Sequence, residues 1–87
     1  MDSRYKIFRF ELPLQDEAII QMPEEAKILS VEAWKGISIW AECFETHQLV
    51  PRVFRISGTG HPVPDGKFVG TVITPPFVWH VYDGGER

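Results

Sequence analysis

The strongest constraint in this chain is an alternation of apolar and polar side chains that restarts seven times, each time cut short by proline, glycine or a polar cluster. A period of two places successive side chains on opposite faces of a strand, whereas a helix needs apolar groups every three to four residues. No stretch sustains that longer period, so the chain reads as all-β.

The first segment, Tyr5 to Leu12, sets Phe8, Phe10 and Leu12 on one side, with Lys6 interrupting the row, and Pro13 ends it. A second strand, Ala18 to Met22, runs to Pro23, and the two are expected to pair as a hairpin. The PEEA stretch at 23–26 could open a helical turn but is too short for a helix. Lys27 to Trp34 carries Leu29, Val31 and Ala33 on one face, turns at Lys35-Gly36, and returns through Ile37 to Phe44 with Ile39, Ala41 and Cys43 aligned. This is the best-defined hairpin. Residues 45–51 form a loop in which Leu49 and Val50 either pack down or join the next strand, Arg52 to Ser57. Two more strands, Lys67 to Thr74 and Phe77 to Tyr82, flank Pro75-Pro76, and residues 83–87 are expected to fray.

Eighty-seven residues support one core, so the expected architecture is a single domain over 1–87: a small antiparallel barrel or sandwich of about seven short strands, with a barrel preferred. The eleven aromatic residues are expected mostly to fill that core, yet Trp34 and Trp40 fall on the face opposite the aliphatic rows of the central hairpin. Something must cover that second face: barrel closure, a partner subunit or a ligand.

Composition narrows the function. With 9 basic and 12 acidic residues the net charge is −3, which argues against phosphate-neutralising contact with nucleic acid and is too weak for an acidic decoy of DNA. No apolar run is long enough to span a bilayer. The lone Cys43 cannot form an intrachain disulfide and no secretory leader is evident, so a cytoplasmic location is expected. Three histidines, His47, His61 and His80, have no paired local spacing, and no HExxH or CxxC pattern occurs, so no metal and no cofactor are expected. Cys43 alternates with Ile39 and Ala41 as a small core residue rather than a nucleophile.

The most unusual segment is the loop from Gly58 to Gly66, in which glycines permit positive φ and Pro62 and Pro64 fix theirs. Closely spaced glycines in GTGHP could present amides to an anion, but the following helix of a nucleotide-binding loop is missing, so a structural turn is the stronger reading. If the loop binds, Gly58, Thr59, Gly60 and His61 are its contacts, with Arg55 and His80 nearby; Arg52 and Arg55 could each meet a phosphate or carboxylate.

The blocks Ile7 to Phe10, Pro23 to Val31, Phe54 to Pro62 with its GTGHP, and the FVWHV at Phe77 to Val81 together resemble a family of small uncharacterised phage and prophage proteins. The resemblance implies a viral accessory protein acting in the host cytoplasm, with interference with host machinery as its role. The leading expectation is a non-catalytic binding module that blocks a host protein or sequesters a small anionic ligand. The alternatives are a structural protein that self-associates through strand edges or its aromatic face, and, behind both, a metal-assisted hydrolase.

Overall fold

The protein is seen in a computed structural model that describes residues 4–87; residues 1–3 of the expected domain lie outside them. Seven strands follow in order: β1 (Tyr5–Glu11), β2 (Glu17–Pro23), β3 (Lys27–Ala33), β4 (Ile37–Phe44), β5 (Leu49–Gly58), β6 (Lys67–Thr74) and β7 (Phe77–Glu86). They form two antiparallel sheets, β1-β4-β3 and β2-β5-β7-β6.

The expected hairpin of β3 and β4 is present, turning at Lys35 and Gly36 with φ of 52° and 90°. Two successive left-handed residues give the turn a twist that matches the strands it joins. The expected hairpin of β1 and β2 is not. β1 pairs along its whole length with β4, setting Phe8 opposite Ala41 and Phe10 opposite Ile39, while β2 pairs with β5. The connection between them changes sheets within a few residues: the Leu12 amide still donates to Ile37 (2.9 Å), and by Asp16 the carbonyl accepts from Ile56 (3.1 Å) in the other sheet. Alternation identifies a strand and its buried face, and both partners offer β1 an apolar face, so periodicity alone does not select between them.

The core lies between the sheets. Ile39, Ala41 and Cys43 of β4 meet Ala18 and Met22 of β2, Phe54 and Ile56 of β5, Val72 of β6 and Val81 of β7. The preferred barrel is corrected to a sandwich. β3 approaches β6 closely enough that a Cβ on Gly70 would lie 3.0 Å from Val31, but no ladder joins these strands. Both carry register shifts, between Ile28 and Ser30 and between Phe68 and Gly70, which disrupt the edge pairing that closure requires.

Two further expectations change. Among the aromatic residues only Phe54 is fully buried, while Tyr5, Phe8, Trp34, Phe68 and Phe77 are exposed. On the second face of the central hairpin Trp34 lies beside Trp40 (ring centroids 5.9 Å apart) and stays half exposed, with the Arg9 guanidinium 5.2 Å and the Lys35 ammonium 4.8 Å from its ring. Beneath them Ser38 is sealed from solvent, donating to the Trp34 carbonyl (2.6 Å) and accepting from Arg9 (3.1 Å). At the other end of the chain, β7 continues to Glu86 instead of fraying after Tyr82. Asp83 holds it there: its carboxylate accepts from Arg52 Nε (3.1 Å) and Nη2 (2.7 Å), and the Arg87 amide donates to Pro51 (3.0 Å).

Candidate functional site

β5 and β7 lie side by side, and their register sets Ser57 opposite His80 and Gly58 opposite Trp79. This brings the end of β5, the loop that leaves it and the FVWHV strand to one place. The loop is braced internally: the His61 amide donates to Gly58 (3.0 Å), and Ser57 Oγ donates to the Pro62 carbonyl (2.9 Å). Gly60 takes φ of 90°, a conformation open to glycine and strained for residues bearing a Cβ.

The braced loop stands as a wall between two concavities. On one side is an open cleft of about 610 Å³, lined by Leu14, Arg55, Gly58, His61, Pro62 and Trp79 among others. On the other is a smaller one of about 250 Å³, with Thr59, Gly60, His80 and Tyr82. Gly58 and His61 line both. The six residues expected from the sequence are therefore gathered round one loop but divided between its two sides.

A Cβ at Gly58 would stand 3.4 Å from Trp79 and 3.6 Å from His61, in ordinary van der Waals contact with both. His61 is exposed at the rim. His80 is held on both nitrogens, by Thr59 Oγ1 at Nε2 (2.8 Å) and Thr71 Oγ1 at Nδ1 (3.0 Å). In the neutral ring one nitrogen donates to a threonine oxygen and the other accepts from the second hydroxyl, so the imidazole is fixed in orientation.

The arginines meet carboxylates of their own chain. Arg55 Nε donates to Glu17 (3.3 Å) and its Nη1 to the Asp65 carbonyl (3.2 Å), and Glu17 also accepts from Arg87 (3.2 Å). Arg52 is bound by Asp83 and donates to the Ala26 carbonyl (2.7 Å). Burial alone pushes the Asp83 carboxyl up, but the hydrogen bonds from Arg52 and the Gly85 amide, with the charges of Arg52 and Lys67, outweigh it and hold its pKa below the ordinary value. Burial pushes the Cys43 thiol up, against a smaller opposing effect of Arg52, so the sulfur stays protonated and unreactive in the core.

The histidines occupy separate surroundings. His47 Nδ1 donates to the Glu24 carbonyl (2.8 Å), while His61 and His80 sit at the loop. Among the described residues no group of three or more His, Cys, Asp or Glu could hold a metal ion. No helix there is long and apolar enough to cross a membrane.

Leu14, Trp79 and Ser57 are among the cleft residues that sequence reasoning did not single out, as is the 15–17 stretch that follows Leu14. Trp79 had a local signal, its place two residues before Val81 on the inward row of FVWHV; Leu14 had none, because only the change of sheet after β1 carries it to the loop.

A seven-stranded β-sandwich with a braced loop between two clefts is the class of protein these features define. The chain belongs to the DUF7352 family, a domain of unknown function, whose model matches residues 4–87. No curated protein and no solved structure matches it.

Proposed function

We propose that the domain is a non-catalytic binding module that captures a segment of a partner protein at the Gly58–Gly66 loop. The observation that carries this reading is the larger cleft: its volume of about 610 Å³ falls in the range of roughly 300–1,000 Å³ that holds ligands, and it sets the apolar side chains of Leu14 and Trp79 beside a braced polar loop. A partner segment suits this cleft better than a small anion, because Glu17 already answers the charge of Arg55. The resemblance to phage and prophage proteins supports a host protein as the partner and blockade as the outcome, in the cytoplasm of the host.

Native mass spectrometry of the protein purified from its own host tests this. A host protein should accompany it in fixed stoichiometry, be lost with Leu14→Asp, be weakened with His61→Ala, and persist with Ile73→Asp, which alters an exposed position outside the cleft. A bound small anion without a protein, or a partner indifferent to Leu14→Asp, overturns the reading.

A further inference from the structure

Each sheet ends in two edge strands, β1 and β3 in one and β2 and β6 in the other. Edge strands expose unpaired main-chain groups and are commonly shielded by proline, by bulges or by inward-pointing charge. β2 closes on Pro23, and β3 and β6 carry register shifts. β1 has neither: its seven residues run in unbroken register with β4, and none of them is buried. Its one inward charge, Lys6, is neutralised by Glu45 at 2.7 Å.

The ends of the β1–β4 ladder show which way the main chain points. The Arg4 carbonyl accepts from Glu45 (3.0 Å) and the Leu12 amide donates to Ile37 (2.9 Å). Alternation then directs the amides and carbonyls of Lys6, Phe8 and Phe10 toward β4, and those of Tyr5, Ile7, Arg9 and Glu11 toward the open edge.

We propose that β1 pairs antiparallel with β1 of a second copy of this chain, about a twofold axis at Phe8, joining the two three-stranded sheets into one of six strands. In a continuous sheet, inward residues must face inward ones, so the axis passes through a residue and not between two. An axis at Lys6 sets lysine against lysine, and one at Arg9 sets arginine against arginine. An axis at Ile7 leaves the strand ends without partners. The axis at Phe8 overlaps all of Tyr5–Glu11 and puts no like charges opposite: Tyr5 faces the second copy's Glu11, Lys6 its Phe10, and Ile7 its Arg9. It also covers Phe8, which sits on the core side of the strand opposite Ala41 yet is 40% exposed because no strand lies beyond it. This interface is independent of the cleft and uses none of its residues.

Ile7 provides the test, since its side chain is 61% exposed and its amide faces the open edge. Sedimentation velocity over a concentration series should show reversible dimerisation of the full chain. Ile7→Glu places a carboxylate opposite the second copy's Arg9 twice per dimer and should tighten association, whereas Ile7→Lys should weaken it. Each effect should be roughly two- to thirty-fold in Kd, for two cross-strand charge pairs. Ile7→Pro removes an edge amide without removing a β1–β4 hydrogen bond, and should leave a folded monomer. If the proline variant fails to fold, the charged pair alone decides. A wild-type chain that stays monomeric at the concentrations of an NMR sample, or an Ile7→Glu variant that associates more weakly than wild type, overturns the proposal.

Discussion

Replacing Asp83 by Asn removes a charge from the bond that holds the C-terminal half of β7 against β5. The pair is bidentate and little exposed, with side-chain exposures of 13% for Arg52 and 10% for Asp83, and Arg52 is anchored further by the Ala26 carbonyl. Breaking a buried pair from one side leaves the other charge uncompensated, at about 3–5 kcal/mol. The residual solvent access puts the expected cost at the low end, about 3 kcal/mol, a large part of the roughly 5–15 kcal/mol that holds a domain folded. At about 4–8 °C per kcal/mol for a domain of this size, the melting temperature should fall by roughly 12–24 °C. The pH dependence follows from the lowered pKa of Asp83. A carboxylate with a depressed folded-state pKa contributes stability above its unfolded value of about 3.9, and loses it as pH falls through the lower folded value. Urea unfolding of wild type and Asp83→Asn should therefore show the full difference at neutral pH, a shrinking difference below about pH 5, and convergence in strong acid. Adding Arg52→Met to Asp83→Asn should recover part of the loss, because the stranded cation is gone. A cost below about 1 kcal/mol at neutral pH, the size of an exposed pair, refutes the reasoning, as does a difference that persists unchanged into strong acid.

The loop separates binding from folding. His61→Ala should leave the melting temperature unchanged while reducing partner capture, since its side chain is exposed; a loss of stability equal to that of a core truncation would make the loop purely structural. Gly60→Ala adds a methyl group at φ of 90° and should cost about 1 kcal/mol through backbone strain alone, because no atom lies within 4 Å of the new Cβ; a neutral urea midpoint would contradict that. Trp34→Ala removes two cation–π contacts worth about 0.5–1 kcal/mol each and uncovers Trp40, so a loss of about 1–2 kcal/mol should accompany a red shift in the remaining tryptophan emission. Cys43 should resist alkylation in the native protein and react only on unfolding; rapid modification under native conditions would show that the β4 row is not sealed.

Much of the architecture follows from local signals. Seven alternating runs broken by Pro13, Pro23, Lys35-Gly36, the polar stretch after Phe44, the Gly58–Gly66 loop and Pro75-Pro76 define seven strands, because period and turn chemistry are properties of neighbouring residues. The same locality marked the Gly58–Pro62 segment, whose glycines and prolines stand out wherever the chain goes. What tertiary structure decided is which strand lies beside which. The pairing of β1 with β4, the crossing to β2, and the bulges in β3 and β6 that leave a sandwich open all depend on contacts between residues far apart in the chain. The aromatic residues show the same division. Their apolar surface was evident from composition, but only the packed sheets determined that Phe54 is enclosed while Trp34 folds outward over Trp40. Charge was least legible. Arg52 and Arg55 look alike in the sequence, and it is the position of Asp83 across the β5–β7 ladder and of Glu17 across the β2–β5 ladder that binds each to its own carboxylate, since Coulomb energy depends on distances that a linear sequence does not contain.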